Sequence, residues 1–175
     1  LADAVPGWFQ ATLALYDERS RELAYADDYR YSPDPVLRYD IPADGTYAVE
    51  IKDAIYRGRE DFIYRVAIGE LPFITGIYPL GASCGERANF ELTGWNLPSN
   101  QLALDTTGKK PGTFYVSVRG NAQLSNPARI MLETLPGTAE TEPNDRADAP
   151  QAITLPTTVN GRIARPGDTD MFRFT

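Results

Sequence analysis

Apolar and polar residues alternate along most of this chain, and a period of two commits it to extended structure. In 46–51, Tyr47, Val49 and Ile51 share one side while Thr46, Ala48 and Glu50 share the other. Residues 62–68 repeat the pattern, with Phe62, Tyr64, Val66 and Ile68 opposite Ile63, Arg65 and Ala67. In 113–118, Phe114, Val116 and Val118 face one way. Further strands are expected over 8–16, 36–41, 88–93, 128–135 and 157–163. Clusters of Pro, Gly, Asp and Ser at 32–35, 42–45, 107–112 and 166–168 supply the turns between them. No window of twelve residues carries a helical stripe, although 54–59 allows a single turn. Many short strands at near-regular spacing predict an all-β chain of antiparallel β-sandwiches.

Composition then removes whole classes of chemistry. The 175 residues include no His and one Cys, Cys84. That excludes Ser-His-Asp and Cys-His nucleophiles, His-ligated zinc and an internal disulfide. A net charge of −7 opposes binding to a phosphate backbone, so no nucleic-acid partner is expected. No run approaches the roughly 20 apolar residues of a membrane span, and no signal peptide opens the sequence. The charge is uneven: residues 1–70 hold 14 acidic against 8 basic side chains, 71–137 hold 4 against 5, and 138–175 hold 6 against 4. With turn-rich sequence at 69–72 and 135–138, this shift predicts boundaries giving segments 1–70, 71–137 and 138–175.

Three stretches resemble known families. Leu13-Ala14-Leu15-Tyr16-Asp17, Glu22 to Asp28, Asp34 to Tyr39, Pro42-Ala43-Asp44-Gly45-Thr46-Tyr47 and Tyr64 to Ile68 resemble, in order, the C-terminal part of a bacterial pre-peptidase C-terminal domain. That domain is a small jelly-roll-like β-sandwich of secreted proteins. Where the family usually has Gly after Leu-Tyr-Asp, this chain has Glu18-Arg19-Ser20. Glu140-Thr141-Glu142-Pro143-Asn144-Asp145, then Val159-Asn160-Gly161-Arg162-Ile163 and Gly167-Asp168-Thr169-Asp170-Met171-Phe172, are similar to the opening part of the same domain type. Between them, Ile74-Thr75-Gly76-Ile77-Tyr78-Pro79 and Gly94-Trp95-Asn96-Leu97 resemble the start of an immunoglobulin-like domain of the IPT/TIG type. The resemblances imply a sequence that begins midway through one sandwich and stops midway through the next. They also imply a secreted, extracellular or periplasmic bacterial setting.

The strongest chemical constellation is Glu140, Glu142, Asn144, Asp145, Asp168 and Asp170. Closely spaced carboxylates with an amide oxygen suit Ca²⁺, which takes six to eight hard oxygen ligands in flexible geometry. An extended Glu-x-Glu sends both carboxylates to the same side, and Asp168 and Asp170 are expected to close the site from a neighbouring strand. In collagenase members of the resembled family these positions correspond to a calcium site. The competing expectation is turn chemistry, with Asn144 and Asp145 in an Asx turn and Asp168 capping the Pro-Gly turn. A second acidic group, Asp27, Asp28 and Asp34, reads as a solvated edge loop. Tyr25, Tyr29 and Tyr31 form a candidate strip for an extended protein or a polysaccharide, since exposed Tyr favours binding surfaces. Tyr39, Tyr47 and Tyr64 are expected to face the core or pack at an edge, Trp8 and Trp95 to pack internally, and Cys84 to be an unpaired thiol.

The function expected is non-catalytic: a structural or adhesive module of a large secreted protein, stiffened by calcium at its linker. The alternatives are a binding module, or an accessory domain of a secreted peptidase whose catalytic residues lie elsewhere. Halves 1–70 and 140–175 could complete one another by strand exchange, within or between chains.

Overall fold

The computed structural model describes residues 9–120 and 123–175. The expectation for Trp8 lies outside the described residues. Among those residues there is no helix, and every regular element is a strand, as the alternation requires. The chain divides into two compact units, Leu1–Ile68 and Gly69–Thr175. Segments 71–137 and 138–175 therefore lie within one unit.

The first unit is built on β1 (Ala11–Tyr16), which runs between β2 (Glu22–Ala26) and β3 (Ala48–Asp53) in an antiparallel sheet. Ala11, Thr12, Ala14 and Leu15 of β1 are buried, so this central strand is covered on both faces. The β1–β2 turn dispenses with glycine: the Asp17 carboxylate accepts hydrogen bonds from the backbone N–H groups of Arg19 and Arg21 and from Arg21 Nε, while Ser20 takes the left-handed conformation at φ 60°. Those donors hold the Asp17 carboxyl below its ordinary pKa, the Arg21 backbone N–H first among them.

Two expected strands of this unit do not form. Residues 36–41 lie between Pro35 and Pro42, which lack the N–H a ladder needs, and the segment runs as irregular chain. Residues 62–68 keep their alternation but join no sheet; Ile63, Tyr64, Val66 and Ile68 are all exposed. Alternation supplies a face, yet a strand also needs a partner, and the three-stranded sheet ends at β2 and β3. Tyr64 is therefore not a core residue. Tyr47 does pack locally, its hydroxyl donating to Ala43 O at 2.9 Å. Phe62 stacks on Phe9 at 5.2 Å.

The second unit contains two three-stranded sheets. One orders β4 (Phe73–Tyr78), β6 (Arg87–Trp95) and β7 (Gln101–Asp105), all antiparallel. The other orders β5 (Gly81–Ser83), β9 (Ala128–Glu133) and β8 (Gly112–Val116), with β5 parallel to β9. Ala88, Phe90 and Leu92 of β6 alternate inward against Ala128, Ile130 and Leu132 of β9. Side chains of both sheets meet in these clusters, which makes the arrangement sandwich-like. Phe90 is wholly buried, and covering a side chain of that size stabilises by about 1.5–3 kcal/mol. Cys84 is unpaired and packs at the edge of the same cluster. Trp95 stacks on Phe73 at 5.3 Å.

Beyond β9 the chain makes only short pairings. β10 (Gly137–Ala139) runs parallel to β12 (Thr158–Asn160), and β11 (Gln151–Ala152) runs parallel to β13 (Phe172–Arg173). Of the strand expected over 157–163, only Thr158–Asn160 forms.

Candidate metal centre

The short pairings of the second unit converge on the acidic segment. Glu140 N–H donates to Asn160 O at 2.9 Å, extending the β10–β12 pairing by one residue. Gln151 fixes the segment from below: its Oε1 accepts from Thr141 N–H at 2.8 Å and its Nε2 donates to Ala139 O at 2.9 Å. On the other side Met171 N–H donates to Asn144 O at 3.1 Å. Residues 140–145 are thus stitched to both 160–162 and 168–171.

This stitching gathers carboxylates. One carboxylate oxygen from each of Glu140, Glu142 and Asp170 lies within 4.8 Å of the others, and Glu142, Asp145 and Asp168 form a second such group. Glu142 belongs to both, as the Glu-x-Glu pattern allows. Asp168 and Asp170 approach from the turn before β13 rather than from a strand, because β13 begins only at Phe172. Gly161 leaves the room: a Cβ there would lie 2.9 Å from Glu140 Oε2 and 3.3 Å from Asp170 Oδ2.

Of the expected turn chemistry the Asp168 cap is present, whereas Asn144 and Asp145 make no Asx turn: Asn144 Oδ1 accepts no hydrogen bond and Asp145 Oδ1 accepts from distant Thr169. Asp168 Oδ2 accepts from Ala164 N–H at 2.5 Å and Asp168 N–H donates to Arg165 O, with Gly167 at φ 85°. Asn144 N–H donates to Glu142 Oε2 at 3.0 Å. Asp145 Oδ1 accepts weakly from Thr169 N–H at 3.4 Å. Turn bonds occupy one oxygen of Asp168 and leave the other pointing elsewhere.

What distinguishes the cluster is what those bonds do not satisfy. Asn144 is 1% exposed and the Asp168 side chain 1%, yet Asn144 Oδ1, Asp168 Oδ1 and Asp170 Oδ1 accept no hydrogen bond. Buried acceptors without a donor are rare and costly. Arg165 sits at the rim, pairing with Asp145 at 3.1 Å and reaching Asp168 at 3.5 Å, with its side chain 70% exposed. One rim guanidinium faces five carboxylates. Burial pushes Asp170 up to about 6, helped by its hydrogen bond to Glu140 and by the charges of Glu140, Asp168 and Glu142. The donor set is entirely oxygen, which suits a hard cation and not a thiophilic one.

The other candidate residues do not converge. Among the described residues, Asp27, Asp28 and Asp34 form no group with ligating atoms in mutual reach. Tyr31 is fully exposed, Tyr25 half exposed on β2, and Tyr29 half-buried in a bridge to Ser32. Gln151 and Arg165 lay outside the motifs that pointed to this place; Gly161 and Arg162 lay inside Val159-Asn160-Gly161-Arg162-Ile163 but were given no role there. Comparison with protein-family models, with curated proteins and with solved structures finds no match for the chain.

Proposed function

We propose that the chain is a non-catalytic structural or adhesive module of a large secreted bacterial protein, in which calcium joins the 140–145 segment to the 168–170 turn. The resemblance of the flanking sequence to pre-peptidase-type sandwiches and of the middle to an immunoglobulin-like module supports an extracellular or periplasmic setting. One observation carries the reading: three buried oxygens without donors, on Asn144, Asp168 and Asp170, lie among carboxylates that outnumber their cations. A bound divalent ion supplies further positive charge and accepts the lone pairs that no hydrogen bond satisfies. Glu140, Glu142, Asn144, Asp145, Asp168 and Asp170 are the ligand set. Ion binding ties both arms of the tail together, and each lost ligand loosens it.

Calorimetric melting with millimolar calcium and with chelator tests the reading. Calcium raises the midpoint of the second unit, because a ligand held 100-fold above its Kd adds ~2.7 kcal/mol to the folded state. Identical melting curves would remove calcium from the function.

A second reading rests on the Tyr25 and Tyr31 surfaces, whose exposure favours a binding module for an extended protein or polysaccharide. Quenching of tyrosine emission by collagen-like peptide or by polysaccharide tests it. Service as an accessory domain to a secreted peptidase is compatible with either reading.

A further inference from the structure

Arg162 stands between the acidic cluster and the sandwich of β4–β9 and touches both. Its backbone N–H donates to Glu140 Oε2 at 2.6 Å, inside the cluster. Its guanidinium leaves in the other direction, lying 4.0 Å from the centroid of the Tyr78 ring and donating to Glu91 Oε2 at 2.6 Å. Tyr78 ends β4 and Glu91 lies on β6, so both belong to the sandwich. Asn160 repeats the bridge one step away: its carbonyl oxygen accepts from the Tyr78 hydroxyl at 3.0 Å and from Glu140 N–H at 2.9 Å. Residues 160–162 thus present one edge to the carboxylates and the opposite side to the sandwich.

We infer that Arg162 is a latch that couples occupancy of the carboxylate cluster to docking of the tail on the β4–β9 sandwich. The inference rests on the calcium reading above and adds a residue-level coupling to it. Without a cation, Glu140 is repelled by Glu142 and Asp170, whose carboxylate oxygens lie within 4.8 Å of its own, and the load falls on its bond to Arg162 N–H. A cation draws Glu140 inward and fixes the backbone of 160–162. The guanidinium is then held over Tyr78 at little further entropic cost. Because coupling free energy is reciprocal, the docked latch must in turn tighten cation binding, although the Arg162 side chain touches no ligand oxygen. The Arg162–Glu91 pair by itself contributes little, since both side chains are about half exposed. Its use is positional. The planar guanidinium can stack and pair at once, which an ammonium cannot do equally well.

Calorimetric titration of the whole chain with calcium chloride tests this, comparing wild type with Arg162→Ala, Arg162→Lys and Tyr78→Leu. Loss of the stack and the ion pair is expected to weaken calcium binding roughly threefold to tenfold in Arg162→Ala, with Tyr78→Leu similar and Arg162→Lys between. The double variant is expected to be weaker than either single one by less than the sum of their losses, because the stack they share is lost only once, while the Tyr78 hydroxyl bond to Asn160 O and the Arg162–Glu91 pair are lost separately. Near-ultraviolet circular dichroism confirms that the sandwich is intact in each. The reciprocal readout is the Arg162 side-chain proton resonance, which the Tyr78 ring shifts upfield more strongly in calcium than in chelator, and which stays at its chelator value in Glu142→Gln. Wild-type binding with unchanged affinity in Arg162→Ala and Tyr78→Leu would overturn the latch and leave the calcium reading standing. Failure of the wild-type chain to bind calcium overturns both.

Discussion

Both units bury aspartate carboxylates, and they neutralise them by different means. Asp53, at the end of β3, accepts from the backbone N–H groups of Gln10, Ile55 and Arg57, and its two oxygens are gripped by Arg57 Nε and Nη2 at 3.0 Å each. The Arg57 guanidinium, first among these contacts, holds the Asp53 carboxyl well below the usual carboxylate range. In the second unit Asp168 and Asp170 are gathered with other carboxylates, keep an oxygen each without a donor, and Asp170 is pushed the opposite way. A carboxylate whose counter-charge comes from its own chain is a fixed part of the scaffold. On the calcium reading proposed above, carboxylates that outnumber the rim Arg165 take further counter-charge from solution, and such a site can be filled and emptied.

The sharpest way to break this contrast is to remove the internal cation. Arg57→Ala leaves Asp53 buried beside backbone donors alone, and the first unit is expected to melt on the order of 10 °C lower. Calcium should not restore it. In the second unit the analogous change has a different sign in the two conditions. Glu142→Gln, measured in chelator, removes repulsion and leaves the melting midpoint unchanged or slightly higher; measured in calcium, it forfeits the stabilisation that wild type gains. A Glu142→Gln chain that melts lower in chelator as well would make Glu142 an internal scaffold group like Asp53.

Titration gives the next contrast. The Asp53 carboxyl is depressed in the folded state, so its contribution to stability is present above the ordinary value of 3.8 and is lost only as pH falls through its lower folded value. Asp170 is raised from 3.8 to about 6, so the folded state holds its proton more tightly than the unfolded chain does. Its contribution is complete below the ordinary value and is lost as pH rises through about 6. Metal-free protein is therefore expected to lose stability in the second unit between pH 4 and 6, measured by melting in chelator. Calcium competes with that proton, so its affinity rises over the same interval. A flat profile for both quantities would remove Asp170 from the cluster's chemistry.

How much of this was legible in the sequence depended on whether the determinant was local. Of the sandwich strands β6, β8 and β9 were legible, because residues such as Ala88, Phe90 and Leu92 alternate against polar neighbours and then do face a common core, whereas β4, β5 and β7 were not expected from the alternation. The all-β class followed from the same pattern. The segment 62–68 had equal alternation and made no strand, since pairing depends on a partner that periodicity does not report. The acidic cluster was legible from Glu-x-Glu-Pro-Asn-Asp and Asp-x-Asp, whose spacing in the chain is short. Its supports were not. Gln151 reaches it through side-chain amide bonds across ten or more residues, and Arg162 connects to Glu91 across 71. Such contacts are set by tertiary register and leave no periodic trace. The turn at Asp17 is intermediate: a carboxylate with suitable donors two and four residues on takes the place of glycine.

The smallest expected effect comes from Gly161, and it sharpens the comparison most finely. A methyl group there would meet Glu140 Oε2 and Asp170 Oδ2, the far ends of side chains that can shift by a few tenths of an ångström. The fold should therefore tolerate Gly161→Ala, and melting in chelator should move by no more than a few degrees, since no positive φ is required at this position. The carboxylates, however, can no longer approach equally. Hard-cation sites depend on ligand count and reach, so displacing Glu140 and Asp170 outward is expected to weaken calcium binding by about tenfold in calorimetric titration. Among the described glycines none would place a Cβ against Asp53 or Arg57, and there the grip is exerted by hydrogen bonds to N–H donors rather than by mutual approach of like charges. A Gly161→Ala chain that binds calcium as tightly as wild type would mean that the two carboxylates do not share an ion.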